Sequence, residues 1–193
     1  DVFEIEPNQK YLKLALKLGN HLIDHFWDSE NNSFFMTSDN HEKLIIRPKS
    51  NYDLSLPSGN SVSSFVMLRL YHLSQEQSFL DISIKIMESQ AQMAAENPFG
   101  FGYLLNTLSV YLEKPIEITI INSENSEICN SLFATYLPSS FIVTIENSEQ
   151  LNALTDYPFF SGKSFEDQTS VFICKNFSCS LPLHTLDEVN SEL

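Results

Sequence analysis

The 193-residue chain is 42% hydrophobic and 12% aromatic, which is enough apolar material to bury a core in one or two domains. It contains 11 Lys and Arg residues and 25 Asp and Glu residues, which give a formal net charge of −14. The basic residues form no cluster in the sequence. This balance excludes nucleic acid and anionic membrane as partners.

The start of the chain, DVFEIEPNQK, is not that of a signal peptide, and no window approaches the roughly 20 apolar residues that cross a bilayer. Its three cysteines make no dense disulfide framework. We therefore expect a soluble, cytoplasmic protein. Because the first residue is Asp1, we also expect a fragment of a longer chain.

Apolar residues recur every three or four positions over residues 10–27, which predicts an amphipathic helix. Residues 28–57 are rich in Asn, Ser and Asp, and contain two short apolar runs, SFFMT and KLIIR, that could pair as a hairpin. Ordered connections of this length are often functional, so this is the first place to expect a site.

Three further helices are predicted before Pro115. The first begins at Ser58 or Asn60 and runs to about Leu73, the second ends before Pro98, and the third ends near Lys114. Helices joined by such short turns are typical of stacked helical hairpins.

The pattern changes after Pro115. The β-branched runs IEITIIN, FIVTIEN and SVFICKN are separated by a helical stretch, SEICNSLFATYLP, and a polar loop. We predict two domains: residues 1–115 form helical hairpins with a long loop or β-hairpin inserted at 28–57, and residues 116–193 form a small α/β subdomain.

Three blocks of the sequence resemble the C-terminal part of one family. They are FWDSENNSFF, LIIRPKSNYDLSLPSGNSVSSFVMLRLYHLS and FICKNFSCSLP. The family is that of thioredoxin-domain-containing proteins related to the spermatogenesis-associated thioredoxin-like protein. The resemblance implies a preceding thioredoxin-like domain, which would carry the family's redox cysteines, and an (α/α)6 toroid like that of N-acylglucosamine 2-epimerases and six-hairpin glycosidases.

From this resemblance we expect a mainly α fold, in which the last helical hairpins of the toroid precede the small α/β subdomain. The partners of the chain would be the missing N-terminal repeats and the thioredoxin-like domain. A partial toroid exposes apolar surface, so the fragment itself is expected to self-associate.

The segment from Arg47 to Asn60 is the candidate site. Arg47, Lys49, Ser58 and Asn60 would bind a sugar-like small molecule at a helix start, whose free N–H groups attract polar and anionic groups, and Asp53 would be the catalytic acid or base. This interpretation needs no cofactor and no metal.

The alternative for the same segment is purely structural. Pro57 and Ser58 would only start the helix, Gly59 would allow close helix packing, and an Arg47–Asp53 ion pair would hold the loop.

Other residue pairs suggest chemistry more weakly. Asp28 and Glu30 could be paired glycosidase carboxylates or could belong to a polar turn. His21 and His25 share a helix face, as metal ligands would, but His-Leu-Ile-Asp-His lacks the Glu of helical zinc proteases and no third ligand is evident.

The cysteines and aromatic residues also leave alternatives open. Cys174 and Cys179 could form a disulfide, or could bind zinc together with Cys129 and His184, although this is not a recognised ligand pattern. They could also be reduced thiols, which is the state that we expect in the cytoplasm. Aromatic residues at 34–35 and 99–103 could stack on a sugar or pack in the core.

Two functions follow as hypotheses. The first is binding of, or catalysis on, a carbohydrate-like molecule, with other catalytic groups in the missing repeats. The second is a non-catalytic scaffold that presents the thioredoxin-like domain to client proteins, whose basic surfaces would suit the acidic residues concentrated in 116–193.

Overall fold

The computed structural model describes residues 1–42, 45–123 and 126–193. Two compact units are present: one comprises Asp1–Leu14 with Glu113–Leu193, and the other comprises Ala15–Leu112. Each unit has its own hydrophobic core. Within the described ranges, no helix is both long enough and apolar enough to span a bilayer.

The unit Ala15–Leu112 is mostly helical. Its regular elements are α2 (Gln9–Phe26, which begins in the other unit), β1 (Trp27–Asp28), β2 (Ser33–Phe34), α3 (Gly59–Ser74), α4 (Gln77–Glu96), a 3₁₀ turn (Pro98–Phe101) and α5 (Gly102–Glu113). These helices confirm the spacing-based predictions. Ser58 is the N-cap of α3, and Gln75 ends that helix in the left-handed conformation, with φ of 56°.

The short strands β1 and β2 pair antiparallel, Trp27 opposite Phe34 and Asp28 opposite Ser33. The run SFFMT therefore supplies one strand, which pairs with Trp27–Asp28. The predicted partner run, KLIIR, includes residues 43 and 44, which lie outside the described residues.

Helices α3 and α4 pack together through a pair of serines. The Oγ of Ser64 lies 3.2 Å from the Oγ and from the carbonyl oxygen of Ser83, and the Oγ of Ser83 donates to the carbonyl oxygen of Ser64 at 2.8 Å. Both residues are fully buried. Small side chains allow the close approach, and the exchanged hydrogen bonds satisfy polar groups that would otherwise be costly to bury.

The second unit is built on a four-stranded mixed sheet. Its elements are α1 (Val2–Ile5), β3 (Ile116–Ile121), α6 (Glu127–Ala134), β4 (Ser140–Ile145), α7 (Ser148–Leu154), a 3₁₀ turn (Pro158–Phe160), β5 (Ser170–Lys175), β6 (Ser178–Cys179) and α8 (Leu186–Glu192).

The strand order of this sheet is β4-β3-β5-β6, with β3 and β4 parallel and the other neighbours antiparallel. The central strands β3 and β5 are buried along almost their whole length, which explains their continuous β-branched runs. The edge strand β4 alternates buried and half-buried residues.

The expected fold class, a mainly α fold with the last hairpins of an (α/α)6 toroid, was wrong. The described residues are 52% helix and 13% strand, with a mixed sheet at the centre of one unit, and they show no toroid. Helical periodicity reports which face of each helix is apolar, and it contains no information on whether successive helix pairs close a ring. The toroid rested on the resemblance alone.

Candidate functional site

Residues 35–42 and 45–58, between β2 and α3, are the described part of the loop that contains most of the predicted site. We call it the anchored loop, because the side chains predicted to bind a ligand hold it to the helices. Asn60 shows this most clearly. It is 1% exposed; its Oδ1 accepts from Phe34 N at 2.6 Å, and its Nδ2 lies 3.1 Å from Phe34 O, 2.9 Å from Ser50 O and 3.1 Å from Asn51 Oδ1.

Asp53 receives hydrogen bonds at two helix starts. Its Oδ1 accepts from Ser58 N at 2.7 Å, and its Oδ2 accepts from the N–H groups of Tyr103 at 2.8 Å and Leu104 at 3.3 Å. The Oγ of Ser58 accepts from Ser61 N at 3.0 Å. Four backbone N–H groups at the two helix starts, those of Ser58, Ser61, Tyr103 and Leu104, therefore donate to side chains of the chain itself.

Arg47 and Lys49 both lie over the ring of Phe35, with Arg47 Cζ 4.0 Å and Lys49 Nζ 4.6 Å from its centroid. Arg47 donates to the carbonyl oxygens of Thr37 at 2.6 Å and His25 at 3.1 Å. The Arg47–Asp53 pair of the structural alternative was therefore the wrong pairing: the guanidinium binds carbonyls and the carboxylate binds amides. The ammonium of Lys49 is hydrogen-bonded to Asp28.

The carboxylate of Asp28 accepts the hydrogen bonds that close a turn. It accepts from Lys49, from the side-chain amide of Asn31 at 2.8 Å and from the backbone N–H of Glu30 at 3.0 Å. The hydrogen bond from Lys49, followed by that from Asn31, holds the pKa of this carboxyl far below its ordinary value. A carboxylate that stays ionised at neutral pH cannot serve as a general acid there.

His21 and His25 are adjacent as predicted, with ring centroids 4.5 Å apart. Nδ1 of His25 lies 2.8 Å from an oxygen of Asp39, and this hydrogen bond lowers the pKa of the Asp39 carboxyl. No spacing signal joins these two residues, so sequence reasoning missed the pair. Across the described ranges, no group of three or more His, Cys, Asp or Glu is arranged to hold a metal ion.

Cys174 and Cys179 form a disulfide, with Cα atoms 3.8 Å apart, so the expectation of reduced thiols was wrong. They are direct cross-strand partners in the β5–β6 hairpin. Cys129 is a half-buried free thiol whose pKa is raised by burial, and the Nδ1 of His184 lies 3.1 Å from Thr169 O.

The aromatic candidates divide between core and surface. Phe34 and Phe101 are buried in the core of the helical unit, at 4% and 0% exposure, so they cannot stack on a ligand. Phe99, in contrast, is 96% exposed.

The anchored loop presents large apolar side chains on its outer side. Leu54 is 84% exposed, Leu56 is 78% exposed and Tyr52 is about half exposed. The backbone N–H of Asp53 donates to the carbonyl of Gly100 at 2.8 Å, which places Leu54 beside the segment that bears Phe99. We call Tyr52, Leu54, Leu56 and Phe99 the loop patch.

A second apolar surface of the helical unit is a groove of about 510 Å³ along α4 and α5. It is lined mainly by the side chains of Ile84, Met87, Ala91, Leu105, Leu108 and Tyr111, and among the described residues Glu88 is its one charged lining residue. Neither this groove nor the loop patch contains an acid/base pair.

No family model matches the chain. The chain is 23% identical over 189 residues to human spermatogenesis-associated protein 20 and 24% identical to its Rattus norvegicus counterpart; each alignment covers 95% of this chain and 24% of the relative. It is 20% identical over 193 residues to an uncharacterised Caenorhabditis elegans protein, covering 98% of this chain and 26% of that protein. The chain thus spans about a quarter of the length of these curated relatives. It is related to the spermatogenesis-associated protein 20 proteins over that quarter.

Proposed function

We propose that this chain is a non-catalytic protein-interaction module of a longer protein, and that the loop patch contacts the partner. In the longer protein the module would present the thioredoxin-like domain that the resemblance implies to its clients. The observation that carries this proposal is a loop held firmly by buried polar contacts that nevertheless keeps its large apolar side chains in solvent.

The exposure of the patch is not a consequence of a loose loop. Asp53 binds the loop to the backbone at the start of α5, and Asn60, on α3, donates to the loop carbonyl of Ser50 and is almost completely buried. Leu54 and Leu56 are therefore exposed on a segment that is held in place, where hydration of their apolar surface is unfavourable. Several large apolar side chains exposed on neighbouring segments are typical of protein-interaction sites.

The fate of the predicted ligand-binding residues supports the same conclusion. Arg47, Asp53 and Asn60 each make hydrogen bonds to the backbone of the chain. A sugar site needs such groups free to reach hydroxyls. The carbohydrate hypothesis would require the anchored loop to open, which would expose the buried amide of Asn60.

The chemistry of the partner follows from charge. The chain carries a formal net charge of −14, so its field attracts a basic protein surface. A partner with an apolar centre, to cover the loop patch, and a net positive charge would satisfy both features.

The test is site-specific photocrosslinking in the full-length protein, expressed in its own cells. A benzophenone amino acid replaces Leu54, Phe99 or, as a matched control on an exposed face of α4, Gln92. We expect discrete protein adducts at positions 54 and 99 that are absent at position 92. Equal labelling at all three positions, or none at 54 and 99, would contradict the proposal.

A thermal-shift screen against sugars and sugar phosphates, repeated with Arg47→Ala, separates the two hypotheses. A ligand at 100 times its Kd stabilises the folded state by about 2.7 kcal/mol. We expect no such shift in either protein. A shift that Arg47→Ala abolishes would instead support carbohydrate binding.

A further inference from the structure

The disulfide of the sheet unit has two chemically different ends. Cys174 lies in the central strand β5 and is 2% exposed, whereas Cys179 lies in the short edge strand β6 and is exposed. A thiol arriving from solvent can therefore reach Cys179, while Cys174 is shielded by the core. Exchange at a disulfide depends on which sulfur is accessible to the attacking thiolate.

A buried lysine lies next to the accessible sulfur. Nζ of Lys163 is 3.8 Å from Sγ of Cys179, and the lysine is only 8% exposed. Its ammonium is held in place by a 2.5 Å hydrogen bond to the carbonyl of Phe159 and lies 5.7 Å from the ring centroids of Phe159 and Phe172.

The charge of this lysine is maintained at neutral pH. Burial lowers the pKa of Lys163 to about 8, and the negative charge of Glu117 opposes that change. Glu117 lies on β3, directly opposite Cys174 in the sheet, so it faces the same cluster from the third strand. Most of the Lys163 side chains thus carry an ammonium beside Cys179 at pH 7.

We propose that Cys174, Cys179 and Lys163 form a thiol–disulfide exchange site that reacts with an external dithiol. The external thiolate attacks Sγ of Cys179, a new S–S bond forms there, and the Cys174–Cys179 bond breaks. The electron pair leaves on Sγ of Cys174, which takes a proton from water.

The second thiol of the external dithiol completes the exchange. As a thiolate it attacks its own partner sulfur in the mixed disulfide, so that the dithiol becomes an internal disulfide and Cys179 departs as a thiolate. Two electrons have then moved from the dithiol to the cysteine pair. The ammonium of Lys163 stabilises the departing Cys179 thiolate and, in the reverse direction, keeps Cys179 ionised for attack on an oxidised partner.

The first experiment measures the ionisation of Cys179 directly. In the full-length protein, Cys129→Ser and Cys174→Ser leave Cys179 as the one thiol within these 193 residues, and the rate of alkylation of its peptide by iodoacetamide is followed by mass spectrometry from pH 5 to pH 10. We expect a midpoint below the ordinary thiol value of about 8.5. A midpoint at or above that value would overturn the proposal.

The role of Lys163 is tested in the same background. An opposite charge at this distance lowers a thiol pKa by about one unit or more, so Lys163→Met should slow alkylation at pH 7 about tenfold and Lys163→Arg should largely restore it. Lys175→Met is the matched control, because Lys175 is exposed in the same hairpin and its ammonium binds the carbonyl of Glu192. Equal profiles for Lys163→Met and its parent would overturn the role of this lysine.

Circular dichroism confirms that each variant is folded. If Lys163→Met does not fold, the alkylation profile of the parent alone still decides whether the pKa of Cys179 is lowered.

The second experiment identifies the attacked sulfur. The native disulfide is incubated with reduced glutathione, quenched with acid and mapped by mass spectrometry. We expect a glutathione adduct on Cys179. An adduct on Cys174, or reduction that occurs only when the chain is unfolded, would contradict the proposed exchange.

Discussion

Asn60 binds the backbone of Phe34 through both ends of its amide, 26 residues away along the chain. Replacement by alanine removes this pairing and deprives the backbone N–H of Phe34 and the carbonyl groups of Phe34 and Ser50 of the Asn60 amide. We predict that Asn60→Ala lowers the free energy of unfolding by about 2 to 3 kcal/mol, measured by urea denaturation.

Asn106→Ala is the control for this substitution, because Asn106 is exposed on α5. It should change the free energy of unfolding by no more than about 0.5 kcal/mol. Equal effects of the two substitutions would mean that the amide of Asn60 does not hold the loop.

Asp53 should behave as a capping residue. Because it accepts hydrogen bonds from Ser58 at the start of α3 and from Tyr103 and Leu104 at the start of α5, Asp53→Ala should lower the free energy of unfolding by about 2 kcal/mol. Asp53→Asn should cost less, since an amide oxygen still accepts. Thermal and urea unfolding measure the stability of both Asp53 variants. Asp24→Asn, on the exposed face of α2, is the control. If both Asp53 variants were as stable as the parent, Asp53 would be free for a role in binding or catalysis.

The bond between Asp28 and Lys49 makes stability depend on pH in a defined direction. The folded-state pKa of Asp28 is lowered, so its contribution is present above its unfolded pKa near 4 and is lost as the pH falls through the folded value. Asp28→Asn should therefore lower the free energy of unfolding by about 1 kcal/mol at pH 7, and the difference from the parent should shrink steadily below pH 4.

Urea denaturation at a series of pH values between 7 and 2 measures this difference. Glu30→Gln, in the same turn and exposed, should follow the parent throughout. A constant penalty for Asp28→Asn at every pH would show that the loss arises from packing and not from charge.

Gly19 is the glycine that close helix packing requires. A Cβ at this position of α2 would lie 2.5 Å from Cδ1 of Leu70 and 3.0 Å from Cε1 of Phe79. We predict that Gly19→Ala lowers the melting temperature, because the strain of about 1 to 3 kcal/mol exceeds the gain in helix propensity of about 1 kcal/mol. Gly102→Ala, where nothing lies within 4 Å of the new Cβ, should leave the melting temperature unchanged or raise it. A stabilised Gly19→Ala would show that Leu70 moves aside without cost.

Gly19 and Gly59 show which features of the fold could be predicted from the sequence and which could not. Helical spacing located α2 and α3 because their apolar periodicity is a local property. The packing role was assigned to Gly59, but a Cβ there would meet nothing within 4 Å. Which glycine lies in a helix contact depends on tertiary packing, which the local pattern does not report.

The candidate site shows the same limit. Capping of α3 by Ser58 could be predicted because a cap bonds to N–H groups only a few residues away. The bonds from Asn60 to Phe34 and from Asp53 to Tyr103 connect residues far apart in the chain, and no spacing rule describes them. The sequence draws attention to the polar residues of this segment, but it does not predict their partners. Their part in binding a ligand stays a prediction.

The reciprocal hydrogen bonds between Ser64 and Ser83 restrict how α3 and α4 can change during evolution. Replacing either serine with alanine leaves the other hydroxyl buried with fewer partners, whereas replacing both removes the need for a bond. Substitutions at these two positions should therefore appear together in homologous chains, and a lone large residue at either position would push the two helices apart. If one helix slid along the other, the hydroxyl groups of Ser64 and Ser83 would both lose their hydrogen bonds. This pair of serines therefore also selects a single alignment of the two helices.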